Sequence, residues 1–457
     1  MSQKGGRLIV ISNRIPTDET PSGGLVVALH EALTERGGIW IGSSGGPQEA
    51  PREGLTQIAS GAYSRYAFDL SHADYEQYYL GYANSVLWPL FHRRADLINV
   101  QPGMVEGYMA VNERLAKMVA EIAQPGDLIW VHDYHFLPLA AALRALGVDN
   151  RVGFFLHIPF PTASDVPALP QADDMLDWVA AYDVFGMQTE TDVQRLDALA
   201  ARVEGKVNNG RAFPIGIDPV GYRDAAIASA AGDNMALSLG QKLIIGVDRL
   251  DYSKGLVHRF EGFGAYLAQR QDSDPKATLL QIAPPSRENV DAYQDIRAHL
   301  ESTAGALNGE YAELDWTPIR YIRRNVARER LAGVMRRADV GLVTPLADGM
   351  NLVAKEFVAA QDPDDPGVLI LSSFAGAAEQ MQDALIVNPY DATEMGDAIQ
   401  KALSMSLDER KARHAALLDG VQTQDIHWWT QSCLDALAGE RVWLRPLATW
   451  ARTLSAL

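Results

Sequence analysis

The chain reads as an α/β protein built from two doubly wound parallel sheets. Short apolar runs alternate with helical patterns along both halves, an alanine-rich stretch between the halves carries no strand-like run, and glycine loops bearing charges follow several apolar runs. In the first half the strands are expected at RLIVI (7–11), IWI (39–41), LIWV (128–131), VGFFL (152–156) and VFGM (184–187). Helices fit between them, with Leu25, Leu29 and Leu33 at four-residue spacing and Met109, Leu115, Val119 and Ile122 on one face. Gly221 to Gly240 has no such run, and the domain junction is placed there. LIIGV (243–247), ATLLQI (277–282), IRYI (319–322), VGLV (340–343) and VLIL (368–371) then repeat the alternation. The expected division is 1–225, 226–425 and a carboxyl-terminal piece, 426–457, whose apolar end packs back onto the body.

Composition narrows the class. With 457 residues and 47% hydrophobic content, the chain can bury a core large enough for two domains. A formal charge of −18 argues against a nucleic-acid or anionic-membrane surface, so any phosphate ligand must be held by local cations against a repelling overall field. The single cysteine, Cys433, excludes an intrachain disulfide and reads as an inert core thiol. No apolar stretch has bilayer-crossing length and MSQKGG lacks a signal-peptide core, so a cytoplasmic protein is expected.

The segment Asp339 to Gln361, DVGLVTPLADGMNLVAKEFVAAQ, carries the clearest chemistry. A buried strand should end at Thr344-Pro345, putting the loop Ala347-Asp348-Gly349-Met350-Asn351 at its carboxyl end, where open α/β sheets bind ligands. Helix formers follow, so backbone N–H groups near Met350 to Val353 lack intrahelical partners and can take a phosphate. With Asp348 before those donors and Glu356 one turn later, a ligand with both phosphates and hydroxyls, such as a nucleotide sugar, fits. Asp348 as a plain helix cap and Glu356 on a solvated face remain the alternative. In KLIIGVDRLDYSKG a strand delivers Arg249 and Lys254, five residues apart, either to hold a diphosphate or to pair with Asp248 and Asp251. In GFFLHIPFP an apolar run stops at His157 before prolines that cannot continue a central strand.

Taken in order, SNR at 12–14, Gly23-Gly24, HDYH at 132–135, LHIPFP at 156–161, DRLDYSKG at 248–255, APPSR at 283–287 and DGMNLVAKE at 348–356 closely resemble the trehalose-6-phosphate synthases, glycosyltransferase family 20. The resemblance runs from about Leu8 to about Trp429 and is specific as a set. It implies a GT-B fold, two Rossmann-like domains facing a shared cleft, with acceptor mainly on the first and donor mainly on the second. It also implies transfer of glucose, with retention, from a nucleotide sugar, typically UDP-glucose, to glucose 6-phosphate, and last helices that cross to the amino-terminal domain. No cofactor or metal is implied. Whether the chain forms a homo-oligomer stays open.

By the same resemblance, Arg249 and Lys254 match the donor diphosphate clamp, joined by backbone amides of Gly24 and of the loop from Asn351 through Leu352 to Val353. Glu356 matches a ribose-binding acid, Asp348 an acid on the donor glucose, and His157 a histidine against that sugar. Asp133 matches an acceptor-sugar contact, and Arg14, Arg287, Tyr79 and Trp88 are assigned to the acceptor phosphate. Tyr79 and Trp88 can equally be core aromatics. A metal at His132, Asp133 and His135 is the rival for that cluster, disfavoured because a strand would turn the two histidines to opposite faces. Two positions depart from the family pattern: Ser43 stands where a tryptophan is common, and Ala347 where arginine is often found. They admit another acceptor such as glycerol 3-phosphate, a cyclitol-using pseudo-glycosyltransferase, or a non-catalytic nucleotide-sugar sensor.

Overall fold

The computed structural model describes residues 6–16, 24–202, 209–230, 241–271, 273–286 and 291–440. Its first sheet contains β1 (Leu8–Arg14), β2 (Gly38–Ser43), β3 (Thr56–Ala59), β4 (Ser64–Phe68), β5 (Leu128–His132), β6 (Arg151–Phe155), β7 (Val184–Met187) and β8 (Gly210–Ala212). The spatial order is β3-β4-β2-β1-β5-β6-β7-β8, parallel except where β3 meets β4. A second, wholly parallel sheet contains β9 (Lys242–Val247), β10 (Ala277–Ile282), β11 (Ile319–Ile322), β12 (Val340–Val343), β13 (Val368–Ser372) and β14 (Leu385–Val387), in the order β11-β10-β9-β12-β13-β14. β5, β10 and β12 are buried along their whole length, as strands covered by helices on both faces must be.

The order in each sheet reverses once. The chain leaves β1 toward β2 and returns to β5 on its other side, and it leaves β9 toward β10 and returns to β12. These two reversals open crevices at the strands' carboxyl ends, the places where such sheets take ligands.

Four strands, β3, β4, β8 and β14, have no counterpart among the expected runs. TQIA and SRYAF are half-exposed and polar, while GRA and LIV are only three residues long. The expected helices from Leu25 and from Met109 are present as Gly24–Arg36 and Met104–Ile122. At the junction the helix Pro219–Ala230 packs on Arg328–Arg336 and Leu352–Ala360 of the second sheet. A boundary at 225 therefore cuts through a helix whose buried face, with Tyr222 and Ala226, belongs to the second half. Residues 231–240, and the carboxyl-terminal tail 441–457, lie outside the described residues.

The last described helix, Ile426–Ala438, returns to the first half and packs on the helix Gly24–Arg36 and on β5, β6 and β7. Trp429 is fully buried there, its ring 5.2 Å from Trp130 and edge-on to Phe155 at 4.9 Å. Gly153 makes room for this helix, since a Cβ there would already sit 3.1 Å from Leu437. Cys433 is buried in the same helix, and desolvation pushes its thiol well up, so it is un-ionised and inert. Among the described residues no helix is long and apolar enough to cross a membrane.

Under the second crevice Arg259, fully buried on the helix Leu256–Gln269, pairs with Asp248 at 2.7 Å. Its remaining donors reach Thr344 Oγ1 at 3.0 Å and Gln281 Oε1 at 2.9 Å, so one guanidinium ties the ends of β9, β10 and β12 together. Removing one partner of a buried pair strands the other. Arg259→Leu should therefore destabilise the protein by about 3–5 kcal/mol, read as a shift in chemical or thermal denaturation; a change under about 1 kcal/mol would show that the pair holds nothing.

Candidate active site

The residues singled out in the sequence gather at the two reversals. Arg14 ends β1, Asp133 follows β5 and His157 follows β6; Arg249 follows β9 and Asp348 follows β12. The two carboxyl edges meet. Gly349 approaches the His157 carbonyl so closely that a Cβ would lie 2.5 Å from its oxygen. Nearby, the Arg249 guanidinium sits 5.7 Å from the Trp88 ring, Arg94 5.6 Å from Tyr252, and Arg93 5.8 Å from Phe374, each pair joining one half to the other.

On the second half, Asp251 takes the Ser253 N–H with Oδ1 and the Tyr293 hydroxyl with Oδ2, starting the tight turn Tyr252–Lys254. Gly255 follows at φ +63°, and a Cβ there would strike the Thr344 carbonyl oxygen at 2.2 Å, so only glycine lets the chain turn into the next helix. The turn aims Lys254 at Asp348, Nζ to Oδ2 2.6 Å, with both side chains little exposed. Asn351 Nδ2 reaches the same oxygen at 3.1 Å. Asn351 sits at φ 76°, immediately before the helix Leu352–Ala360, and among the described residues no side chain caps that helix. The loop is pinned from behind by Asp348 N to Phe374 O, Gly376 N to Asp348 O and Ala377 N to Met350 O, which leaves Met350 buried and Leu352 and Val353 in the first turn. Asp348 is thus an ion-pair partner of Lys254 and not a cap. Asp248 pairs with Arg259, and Asp251 holds the turn.

On the first half, Asp133 takes a positive φ of 76°, rare outside glycine, directly after β5. Its Oδ1 accepts the Tyr134 N–H at 3.1 Å and lies 3.4 Å from the His157 N–H. The His157 ring meets His132, Nε2 to Nδ1 3.1 Å. Burial pulls the His157 imidazole down to about 3, and His132, buried beside it, is held well below its ordinary value, so both rings are neutral near pH 7. Tyr79 lies in a long π-helical stretch, Tyr75–Leu87, between the exposed Arg14, 5.9 Å from its ring, and His135, stacked at 5.8 Å. Such stretches are rare and concentrate at functional sites. Trp88 is buried, ring against His92 at 4.0 Å, and offers one face to Arg249, so it is a core aromatic that also borders the cleft. Gly24 opens its helix after β1, and Arg287 lies outside the described residues.

The sequence profile of glycosyltransferase family 20 matches residues 10–439. A trehalose-6-phosphate synthase from Klebsiella pneumoniae is 46% identical over 449 residues, 93% of either chain. The E. coli structure bound with UDP-2-fluoro glucose superposes with a TM-score of 0.89 at 43% identity, covering 95% of this chain and 99% of that one. An α,α-trehalose-phosphate synthase (UDP-forming) from Burkholderia xenovorans, in complex with glucose-6-phosphate, gives 0.89 at 42%, covering 94% and 100%. The chain belongs to glycosyltransferase family 20.

Against the family 20 pattern, the two departures look different once folded. Ser43 does not open the cleft wall: it is buried at the end of β2, and its hydroxyl donates to the Asn13 carbonyl at 2.6 Å, tying down the strand that carries Arg14. Ala347 is also buried and lines a cavity of about 240 Å³ between the halves, with Arg93, Arg195 and Glu379 among its walls. The histidines of HDYH diverge for another reason than strand alternation. β5 ends at His132, whose Nδ1 faces His157, while His135 sits in the following turn with its ring on Tyr79 and Tyr134. Among the described residues no group of three or more metal-ligating side chains converges.

Two features escaped sequence reasoning. Lys355, next to Glu356, is buried and donates to the Ile215 carbonyl at 2.7 Å, fastening the helix to the connection between halves, and burial pulls its ammonium down to about 7. Nothing in NLVAKEF marks which acid or base turns inward. Glu356 is held 3.8 Å from Arg328, whose guanidinium lies 5.0 Å from the Tyr222 ring. Desolvation raises the Glu356 carboxyl to about 7, with Arg328 opposing. A hydroxyl donates best to the ionised carboxylate, which forms as pH rises through that value. The KM for a nucleotide sugar held there should fall between pH 6 and 8, and Glu356→Gln should raise it and flatten the profile. An unchanged slope in the variant would remove Glu356 from donor binding.

Proposed function

We propose that the chain moves glucose from UDP-glucose to glucose 6-phosphate with retention of configuration, giving trehalose 6-phosphate and UDP. One observation carries the reading: both topological reversals face one cleft, one bringing Arg249, Lys254 and an uncapped helix start, the other Arg14, Asp133 and His157. The first group suits a diphosphate and the second a hydroxylated, phosphorylated acceptor. The relatives add weight, since one was solved bound with UDP-2-fluoro glucose and another with glucose-6-phosphate.

In this reaction the bond from C1 of glucose to the diphosphate oxygen breaks, and a bond from C1 to an acceptor oxygen forms on the same face. The acceptor proton passes to the departing phosphate oxygen. Charge grows on the diphosphate as it leaves, and Arg249, Lys254 and the amides from Asn351 to Val353 are placed to stabilise it without a metal. Asp348 is a poor nucleophile because Lys254 and Asn351 hold its carboxylate. Closure of the two halves would keep water from the sugar. Glu356 takes the ribose hydroxyls, and Asp348 and His157 the donor glucose. Arg14, Tyr79, Asp133 and Arg287 serve the acceptor, with Trp88 acting through Arg249.

Loss of one charge-assisted contact to a leaving group typically costs about 10²- to 10³-fold in turnover. Arg249→Ala and Lys254→Ala should each lose activity on that scale with circular dichroism unchanged; near-normal rates at saturating donor would refute the clamp. Product analysis with a panel of nucleotide-glucose donors and phosphorylated acceptors tests the whole reading. A site that hydrogen-bonds sugar hydroxyls rejects a ligand lacking them, because its own polar groups would stay unpaired. Glucose 6-phosphate should therefore exceed glycerol 3-phosphate in kcat/KM, and the reverse order would replace trehalose 6-phosphate as the product.

A further inference from the structure

We propose that His132 is a positioning residue that locks the tautomer of His157, so that His157 always carries its proton on Nδ1 and presents Nδ1–H to the cleft. The two imidazoles are joined edge to edge. Nδ1 of His132 and Nε2 of His157 are 3.1 Å apart, with ring planes inclined by only 27°, so an in-plane N–H on one ring points at the in-plane lone pair of the other. A neutral imidazole has one donor nitrogen and one acceptor, and a single proton can lie on the line between the rings. Two arrangements satisfy it. Either His132 donates from Nδ1, which leaves its Nε2 bare and puts the His157 proton on Nδ1, or His157 donates from Nε2, which puts the His132 proton on Nε2.

The surroundings of His132 choose between them. His132 is 1% exposed, and its Nε2 has no hydrogen-bond partner among the described residues. It is packed among Trp130, Phe155 and Trp429, with ring centroids at 4.5, 6.5 and 6.4 Å. Trp429 Nε1–H, a donor only, is also buried without a partner among the described residues. A second stranded N–H in that wall would add to an excess of donors. Among backbone groups an orphaned buried N–H is rarer than an under-satisfied C=O, and on the same ground a bare acceptor nitrogen is the smaller defect here. The first arrangement is therefore the stable one. Only two doubly protonated rings would set N–H against N–H across the 3.1 Å contact; burial, which lowers both imidazoles, is what keeps the pair neutral.

The consequence falls on His157, which is only half-buried and whose Nδ1 makes no hydrogen bond among the described residues. Resting on the reading that His157 lies against the donor sugar, a fixed Nδ1–H obliges a sugar oxygen to accept there, leaving that hydroxyl's own proton for another acceptor. A histidine free to change tautomer would accept as readily as donate and would lose that discrimination.

The test begins without any ligand. In protein labelled with ¹⁵N-histidine, long-range ¹H–¹⁵N correlation spectra should show His157 protonated at Nδ1 and unprotonated at Nε2 at neutral pH. A His157 protonated at Nε2, or averaging between forms, overturns the proposal. His132→Phe keeps a buried ring without the donor, and His157 should then shift to a mixture or to Nε2–H. His132→Asn, whose amide N–H stands where Nδ1 stood, should restore the Nδ1–H form. With donor added, His132→Phe should raise the UDP-glucose KM by about tenfold while the glucose 6-phosphate KM stays, and His132→Asn should recover most of the loss. A purely structural His132 would lower stability in both variants and leave the His157 tautomer as in the parent, which also overturns the proposal. If the tautomer follows the substitutions but the donor KM does not move, the lock stands and it is the contact between His157 and the donor that fails.

Discussion

The site depends on a backbone-to-backbone seam where the Asp348–Asn351 loop meets the carbonyl of His157. Gly349 has no Cβ, and any Cβ there would lie 2.5 Å from that carbonyl oxygen, so the seam closes only as far as glycine permits. Everything that makes the cleft one site is stacked around it. The loop is hydrogen-bonded to the turn after β13, Lys254 reaches across to Asp348, and Arg249 lies on Trp88 of the opposite half. A parallel sheet cannot supply this alone, because each sheet presents its ligand-binding edge in one direction only. Two such edges must be brought face to face.

The second organising fact is charge. The chain carries a formal −18, yet the cleft concentrates cations: Arg14, Arg249 and Lys254, with Arg93 and Arg94 on its rim. Lys254 is neutralised by Asp348 at 2.6 Å, and Arg259, one layer below, by Asp248 at 2.7 Å. The lower pair is sealed from solvent and acts as scaffold. The upper pair remains partly accessible, so a phosphate or a sugar hydroxyl can compete for either partner. That difference in depth separates a structural ion pair from a functional one built of the same residue types.

Much of this was legible beforehand. Five strands of the second sheet and five of the first fall where apolar runs end in turn residues, because a strand buried on both faces must be written as a continuous apolar run. Of the strands that escaped, β3, β8 and β14 are edge elements and β4 lies just inside β3 with a half-exposed, polar start. The cleft residues were legible as motifs, but their partners were not. For Lys254 the alternative to a diphosphate clamp was pairing with Asp251 or Asp248, three and six residues back along the chain, whereas it meets Asp348 from another strand. Ser43, read as a departure that admits another acceptor, is a buried hydrogen-bond donor. The turn conformation of Asp133 and the π-helical course of Tyr75–Leu87 leave no mark in periodicity.

By itself, then, the sequence determined what is local or periodic: which segments are buried strands, where each strand stops, and which charged side chains stand at strand ends. These follow from side-chain solubility and from backbone valence within a few residues. Only the tertiary structure decided which charges meet and which protonation states they keep. Glu356 is raised to about 7 and Lys355 lowered to about 7 on adjacent positions of one helix, both through desolvation by packing around that helix. His132 and His157 share one proton across 3.1 Å because β5 and β6 lie side by side. Burial and distance across the fold are properties of three-dimensional packing, and no spacing along the chain encodes them.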